Sequence, residues 1–296
     1  TDALRLSQGM SYKNAMADLP MGGGKAVILA PKDGTKTPEM LAAFGDAVEA
    51  LGGCYVTAED VGISEEDMVA VSKRTDYVTG LPADDDGAGG DPGPYTAHGI
   101  YLGLAAAVRH KLGRSLNGVH VAIQGTGSVG GRLAQLLAKD GAKLTLADVN
   151  TARAEALAAE LGGTAVPADS IMSVPCDVFS PNALGGILDS TSIAALDCAV
   201  VAGGANNQLA TAEHGRELAQ RGILYALDYV LNGGGIIAVT YEYLARREGV
   251  AVSTDTIDQK IAGIPDRLES IWQEAESSGR SVNIVADAMA RRAIGR

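Results

Sequence analysis

The segment Gly125-Thr126-Gly127-Ser128-Val129-Gly130 stands directly after an apolar run, residues 119–124, and directly before a stretch whose Leu133, Leu136 and Leu137 fall on one helical face. A Gly-x-Gly-x-x-Gly string alone means little. Here a strand precedes it, a helix follows it, and a second apolar run ends in Asp148, eighteen residues beyond Gly130. In such a unit Gly125 permits the tight turn, Gly127 lets the backbone approach a pyrophosphate, and Gly130 lets the helix lie against the strand. The helix N-terminus adds unpaired N–H groups and partial positive charge for phosphates, so Thr126, Ser128 and Val129 join the glycines as cofactor-binding candidates. Asp148 would accept hydrogen bonds from ribose hydroxyls and repel a 2′-phosphate. NAD is therefore favoured over NADP, with Asn150 and Arg153 nearby tempering the preference. The competing explanation is a glycine-rich structural turn in a helix-on-sheet layer.

Further short apolar runs at 165–166, 178–179, 199–201 and 223–225, separated by helical stretches, extend this unit into a parallel, doubly wound sheet. Ahead of it, residues 1–90 read as helix, glycine-rich loop, strand 26–30, helix 37–51, strand 54–57 and helix 64–73. A loop at 81–94, rich in Gly, Asp and Pro, marks a boundary, and a helix over 96–110 follows it. Beyond about residue 235 the pattern is helical, with a charged stretch at 241–248 and a last helix at 284–292. The expected fold class is α/β: a Rossmann-type doubly wound parallel sheet domain plus a smaller α/β substrate domain. The expected divisions are residues 1–94 for the substrate and catalytic domain, 95–250 for the NAD-binding domain, and 251–296 for C-terminal helices packing back toward the first domain.

Composition excludes several function classes. A formal charge of −12 over 296 residues, with no basic stripe to offset it, argues against nucleic-acid and anionic-membrane partners. Cys54, Cys176 and Cys198 lack CxxC spacing and neighbouring histidines, so they read as buried apolar residues in a reducing compartment, and no metal site is expected. No signal peptide and no apolar run of transmembrane length is visible, which makes a cytoplasmic protein the default expectation.

The residues that carry chemistry begin at Lys13 and Lys25, the second closing the triplet Gly22-Gly23-Gly24. Without Cβ atoms those glycines can take positive φ or admit a close neighbour, which delivers Lys25 at the rim of a constricted loop. A lysine there can hold a carboxylate, or act as a base once its pKa is lowered; it can also be a solvated lysine on a turn. A P-loop is excluded, because its spacing and the Ser or Thr after the lysine are absent. Asp60 follows the 54–57 run at a strand-end position, as a candidate acid or base or as an N-cap for the next helix. Asn206, in Ala205-Asn206-Asn207-Gln208, stacks amides after another strand. A second triplet, Gly233-Gly234-Gly235, opens a helix whose Ile236 and Val239 share a face.

Met10-Ser11-Tyr12-Lys13-Asn14-Ala15, Gly22-Gly23-Gly24-Lys25, Thr57-Ala58-Glu59-Asp60-Val61-Gly62, Pro94-Tyr95-Thr96-Ala97, the Gly125 to Gly130 segment, Ala205-Asn206-Asn207 and Asp228-Tyr229-Val230-Leu231-Asn232-Gly233-Gly234 occur in this order along nearly the whole chain. Together they resemble the family of amino acid dehydrogenases that holds the glutamate, leucine, valine and phenylalanine enzymes, and most closely its leucine, valine and phenylalanine members. The resemblance implies reversible, NAD-linked oxidative deamination of an L-amino acid to a 2-oxo acid and ammonia, in a homo-oligomer whose small-molecule substrate enters a closing cleft between domains. It implies that Lys13 holds the substrate carboxylate and that Lys25 is the general base toward the water attacking the imine. Asp60 would shuttle protons to the amino group. Asn206 would orient the substrate amine or the nicotinamide region, and Thr96 would hydrogen-bond the nicotinamide carboxamide; Asn182 and Ala183 are also expected to bind the cofactor.

Side-chain specificity follows partway. The family places a serine where this chain has Val239, and an unpaired carboxylate against Ile236 and Val239 would cost several kcal/mol, so an apolar substrate of the Leu, Val or Ile type is expected. Ala58 matches leucine-type enzymes, whereas phenylalanine-type enzymes tend to carry Gly; residues 17–21 look more like the phenylalanine enzymes, which keeps phenylalanine as the alternative. Two departures stand out. Leu227 replaces the usual proline and should loosen a turn. The family's opening strands have no counterpart before the first helix, so a chain naturally this short is expected to be an inactive NAD-binding protein.

Overall fold

The computed structural model describes residues 2–29, 31–60, 62–82, 91–250 and 254–296. Three helices open the chain: α1 (Asp2–Met16), α2 (Pro38–Glu49) and α3 (Glu65–Ser72). Their boundaries are written locally. Thr37 caps α2 by accepting the Met40 N–H at 3.2 Å, with Pro38 behind it in the first turn, and Ser64 and Asp67 close a reciprocal capping box on α3. A long helix, α4 (Gly93–Leu112), then leads to β1 (His120–Gln124), α5 (Ser128–Lys139), β2 (Lys143–Ala147), α6 (Thr151–Leu161), β3 (Thr164–Ala165), β4 (Val178–Pro181), α7 (Ser190–Ala195), β5 (Val200–Ala202), α8 (Glu213–Gln220), β6 (Leu224–Ala226) and α9 (Asp228–Leu231). The chain ends in α10 (Gly234–Glu248), α11 (Thr254–Ile261), α12 (Ile264–Ser278) and α13 (Val282–Ala293).

Two compact units result. One holds residues 1–92 and 235–259, the other residues 93–234 and 260–296. This differs from the division read along the sequence: α12 and α13 group with the sheet-bearing unit, and most of α10 groups with the first three helices. Packing supplies the reason for α12. Gly99 and Gly103 on α4 let it come close, since a Cβ at either position would lie 2.8 Å from Ile264 or Leu268. Trp272 of α12 is buried and donates its indole N–H to the Tyr225 carbonyl at 3.1 Å.

The larger unit carries a six-stranded, wholly parallel sheet in the order β3-β2-β1-β4-β5-β6. Its strands are near-continuous apolar runs, as strands covered on both faces require, and Val121, Ala122 and Ile123 are fully buried. Strand order reverses between β1 and β4, where Val121 pairs with Val178, and ligands of such sheets bind at the strand ends beside that reversal. Each sheet strand expected from sequence is present within one or two residues.

The smaller unit departs from expectation. Among its described residues the one β pairing is an isolated bridge, Thr57 with Val78, and residues 26–29 form no strand; Ala30 lies outside the described residues. Val27 and Leu29 are exposed. An apolar run becomes a strand only when another backbone pairs with it, and a sequence pattern cannot supply that partner. Its core is built instead from Leu41, Met68, Val71 and Val78 between α2 and α3. Most of the loop expected at 81–94 lies outside the described residues. Cys54, expected to be buried, is exposed. Leu227, expected to loosen its turn, takes φ −56°, ψ 127°, a conformation proline also adopts, and its carbonyl accepts the Val230 and Leu231 N–H groups. No described helix is long and apolar enough to cross a membrane.

Candidate active site

In the smaller unit the glycine triplet is wedged into place. None of Gly22, Gly23 and Gly24 takes positive φ, so the first of the two reasons for having glycine there does not apply. Close approach is the operative reason at Gly23 and Gly24, whereas a Cβ on Gly22 would meet nothing within 4 Å. A Cβ on Gly23 would overlap the α1 backbone at Ser7 and Ser11, and one on Gly24 would meet the Tyr55 ring at 2.5 and 2.8 Å. Asn14, buried at the end of α1, donates from Nδ2 to the Gly22 carbonyl at 2.5 Å and ties the loop to the helix. Lys13 sits half-buried in that last helical turn, beside the tie.

Lys25 leaves this loop to form an ion pair with Asp60. The two residues singled out as base and proton carrier are thus brought together from 35 positions apart. Burial lowers the Lys25 pKa from the ordinary lysine value by penalising the charged form. A lysine so placed can exchange a proton nearer neutrality than a solvated one. Val61, within the same motif, lies outside the described residues.

Ala58 adjoins the Thr57–Val78 bridge. The segment following that bridge is clasped by α10, whose Glu242 accepts the Gly80 N–H at 3.2 Å and whose Arg246 donates to the Val78 carbonyl. Burial raises the Glu242 pKa, opposed by the Gly80 and Leu81 N–H groups and by Arg246. Ile236, Val239, Glu242 and Arg246 recur every three or four residues, so the clasp fixes which face of α10 presents the two apolar residues. Nothing in the sequence distinguishes Glu242 and Arg246 from a charged solvated face.

In the larger unit the three fingerprint glycines separate by role. Gly125 has φ +90°, and a Cβ there would lie 3.0 Å from Asn182 and Ala183; a Cβ on Gly130 would overlap the Gly125 carbonyl. Both are dictated by the fold. A Cβ on Gly127 would meet no protein atom within 4 Å, and Gly127 N-caps α5 without any side-chain cap. Internal packing therefore does not require glycine there, and Ser128 and Val129 follow in the first turn of α5.

Asp148 is 6% exposed, and its carboxylate is already occupied. One oxygen accepts from the Thr126 N–H at 2.7 Å and the Thr126 hydroxyl at 3.1 Å, the other from the Asn150 N–H at 2.8 Å, while Arg153 donates to both at 2.7 and 2.8 Å. Desolvation raises the Asp148 pKa, but these hydrogen bonds outweigh it and hold the group at about 2. Asp148, expected as a ribose acceptor, is in this structure a staple between the glycine loop and β2, with Arg153 donating to both its oxygens.

Asn182 is likewise a tether. Its Nδ2 donates to the Ser180 carbonyl and hydroxyl, and its Oδ1 accepts the Gly204 N–H at 2.8 Å, joining the ends of β4 and β5. Ala183 beside it is exposed. Asn206 is exposed on the next loop, where its Oδ1 accepts from Asn232 at 2.8 Å; Gln208, fully buried, donates to the Gly203 and Ala205 carbonyls beneath. Thr96 lies half-buried on the first turns of α4. Asn232 enters the sequence pattern only as one letter of a motif; its interaction with Asn206 crosses 26 residues and no spacing rule reveals it.

Residues 1–77 match the Glu/Leu/Phe/Val dehydrogenase dimerisation domain, and residues 145–294 match the Glutamate/Leucine/Phenylalanine/Valine dehydrogenase family. A leucine dehydrogenase of Thermoactinomyces intermedius is 43% identical, aligned over 99% of this chain and 78% of its own length. A phenylalanine dehydrogenase of Bacillus thermotolerans is 38% identical, over 99% and 76%. The crystal structure of L-tryptophan dehydrogenase from Nostoc punctiforme superposes with a TM-score of 0.84 at 38% identity, covering 99% of this chain and 83% of that one. With the stapled glycine loop, the lysine–aspartate pair and these matches in place, the chain belongs to the Glu/Leu/Phe/Val dehydrogenase family and is an amino acid dehydrogenase.

Proposed function

We propose that the protein catalyses NAD-linked, reversible oxidative deamination of an apolar L-amino acid of the leucine, valine or isoleucine type, giving the 2-oxo acid and ammonia. The observation that carries this reading is the pairing of Lys25, its pKa lowered by burial, with Asp60 at the end of a loop that close packing holds in place. Lys13 holds the substrate carboxylate as a point charge. Lys25 in its neutral form takes a proton from the water whose oxygen bonds to the imine carbon. Lys25 passes that proton to the paired Asp60 carboxylate, Asp60 delivers it to the carbinolamine nitrogen as the C–N bond breaks and ammonia leaves, and the carbinolamine hydroxyl gives its proton to Lys25 as the 2-oxo group forms.

NAD supplies the hydride acceptor when bound. Gly125, Thr126, Gly127, Ser128, Val129 and Gly130 would hold its phosphates, Asp148 its adenosine ribose, and Thr96, Asn182, Ala183 and Asn206 the end near the reacting carbon. Residues 93–234 are on this reading the cofactor domain and residues 1–92 the substrate domain, in a homo-oligomer consistent with the dimerisation-domain match.

The apolar face of α10 with Ile236 and Val239, and Ala58 near the clasped segment, favour an aliphatic side chain over a carboxylate. A second reading, an aromatic amino acid substrate, is favoured by the similarity to tryptophan and phenylalanine dehydrogenases. NADH formation measured with Leu, Val, Ile, Phe, Trp and Glu separates the two; turnover of Glu alone rejects the apolar-pocket argument. Lys25→Met should cut deamination about a thousandfold, as loss of a general base does. An unchanged rate in that variant rejects the assigned chemistry.

A further inference from the structure

Asn206 is exposed, yet its amide is not free to choose which end it presents, because a buried neighbour chooses for it. Asn232 is 3% exposed and its Nδ2 lies 3.0 Å from the Gly204 carbonyl oxygen and 2.8 Å from the Asn206 side chain. The Gly204 oxygen is a backbone acceptor with no alternative role, so the Asn232 atom facing it is the NH2 group. That same NH2 faces Asn206, and the Asn206 atom there must be Oδ1. The polarity is transmitted from fixed backbone through one side chain to another. Gly204 is held in turn, its N–H donating to Asn182 Oδ1 at 2.8 Å, and the Ala205 N–H donates to the Pro181 carbonyl at 3.0 Å. On the other side, Gly185 lies so close to the Asn206 and Asn207 carbonyls that no Cβ fits between them.

With Oδ1 committed inward, the group Asn206 offers outward is Nδ2, which has no hydrogen-bond partner among the described residues. We infer that Asn232 is a positioning residue that makes Asn206 a hydrogen-bond donor, and that Asn206 meets an oxygen acceptor of the bound ligands, a substrate carboxylate or the nicotinamide carboxamide oxygen, rather than accepting from the substrate ammonium. This rests on the reading of Asn206 as a ligand contact. It narrows that reading, because an amide with its oxygen outward would serve an ammonium group and one with its nitrogen outward serves a carboxylate or carbonyl.

A double-variant cycle with Asn206→Ala, Asn232→Leu and both together tests it, reading the KM for leucine, kcat, the NAD dissociation constant and the inhibition constant of 4-methylpentanoate, which keeps the carboxylate and lacks the amine. Asn206→Ala is expected to raise either the carboxylate pair, KM and the inhibition constant, or the NAD dissociation constant, by about tenfold, the loss of one hydrogen bond to a charged or strongly polar acceptor. Which of them moves identifies the acceptor. Asn232→Leu should move the same parameter by a similar factor with kcat within about threefold, and the double variant should be no worse than Asn206→Ala alone. Asn232→Asp, which keeps the size and removes the donor, should reproduce the effect if the leucine variant fails to fold. Losses that multiply in the double variant, or an Asn232 variant that leaves all these constants within twofold while Asn206→Ala does not, overturn the positioning role and leave the Asn206 contact standing. An Asn206→Ala variant that binds substrate and NAD normally overturns both.

Discussion

The two glycine-rich loops look alike in sequence and are built on different logic. In the smaller unit, Gly22 has open space, Gly23 and Gly24 are required by neighbouring protein, the α1 backbone and the Tyr55 ring, and the side chain they lead to is the Lys25 that pairs with Asp60. In the larger unit, Gly125 and Gly130 are required by protein, and Gly127 between them has open space where a side chain would sit. One loop is packed to aim a side chain. The other is packed at both ends to leave one backbone position bare. A glycine is thus informative about ligands only after the neighbours of its missing Cβ are known.

Adding a methyl group at two of these positions should give the largest contrast. Gly130→Ala should abolish measurable NAD binding and lower the melting temperature, because its Cβ overlaps the Gly125 carbonyl, while Gly127→Ala should weaken NAD binding by about a hundredfold with an unchanged melting temperature. Calorimetric titration and thermal unfolding of both variants check this; equal destabilisation by the two would erase the distinction.

On the lysine side, the proposed use of neutral Lys25 as the base means that the deamination rate should climb about tenfold per pH unit and level off below the ordinary lysine value of 10.5, because burial lowers the Lys25 pKa. A rate profile that flattens only above that value would contradict the lowered pKa.

Asp148 offers a smaller test. Its folded pKa of about 2 lies below the ordinary 3.8, so its stabilising contribution is complete above pH 3.8 and is lost as pH falls through about 2. Asp148→Asn should remove that acid dependence and raise the ratio of NADP to NAD turnover about tenfold, because Arg153 is released toward a 2′-phosphate. Steady-state rates with both cofactors decide it, and an unchanged ratio would leave Arg153 without a part in cofactor choice. The mildest effect is expected from Ala58→Gly, which should raise phenylalanine turnover relative to leucine about threefold to tenfold by removing one methyl; competition between the two amino acids measures it.

Much of the larger unit is legible in its residues alone. Its strands are apolar runs whose partners are other runs in the same stretch of chain, and the fingerprint's offsets are local, so pattern and period suffice for β1 to β6 and for Gly125 to Asp148. The smaller unit is less legible. Residues 26–29 read as a strand from the same kind of pattern and pair with nothing among the described residues, because pairing is a property of two segments and the pattern describes one. Lys25 and Asp60 can be named individually, and ordered motifs can place them in one family, but no periodicity announces that they touch.

Features that depend on neighbours along the chain can thus be read from residue order: the apolar runs of a parallel sheet, the caps on α2 and α3, the glycine spacing of the loop between β1 and α5, and the membership that ordered motifs confer. Features that depend on atoms distant in sequence emerge only on folding. Among these, the Asp148 carboxylate is already bonded to Thr126, Asn150 and Arg153, Glu242 and Arg246 hold down the segment beside Ala58, and Asn232 sets the polarity of Asn206. Hydrogen bonds are short-ranged and directional, so the role of a polar side chain is fixed by whichever group folding brings within about 3 Å of it, and residue type alone leaves that partner unspecified.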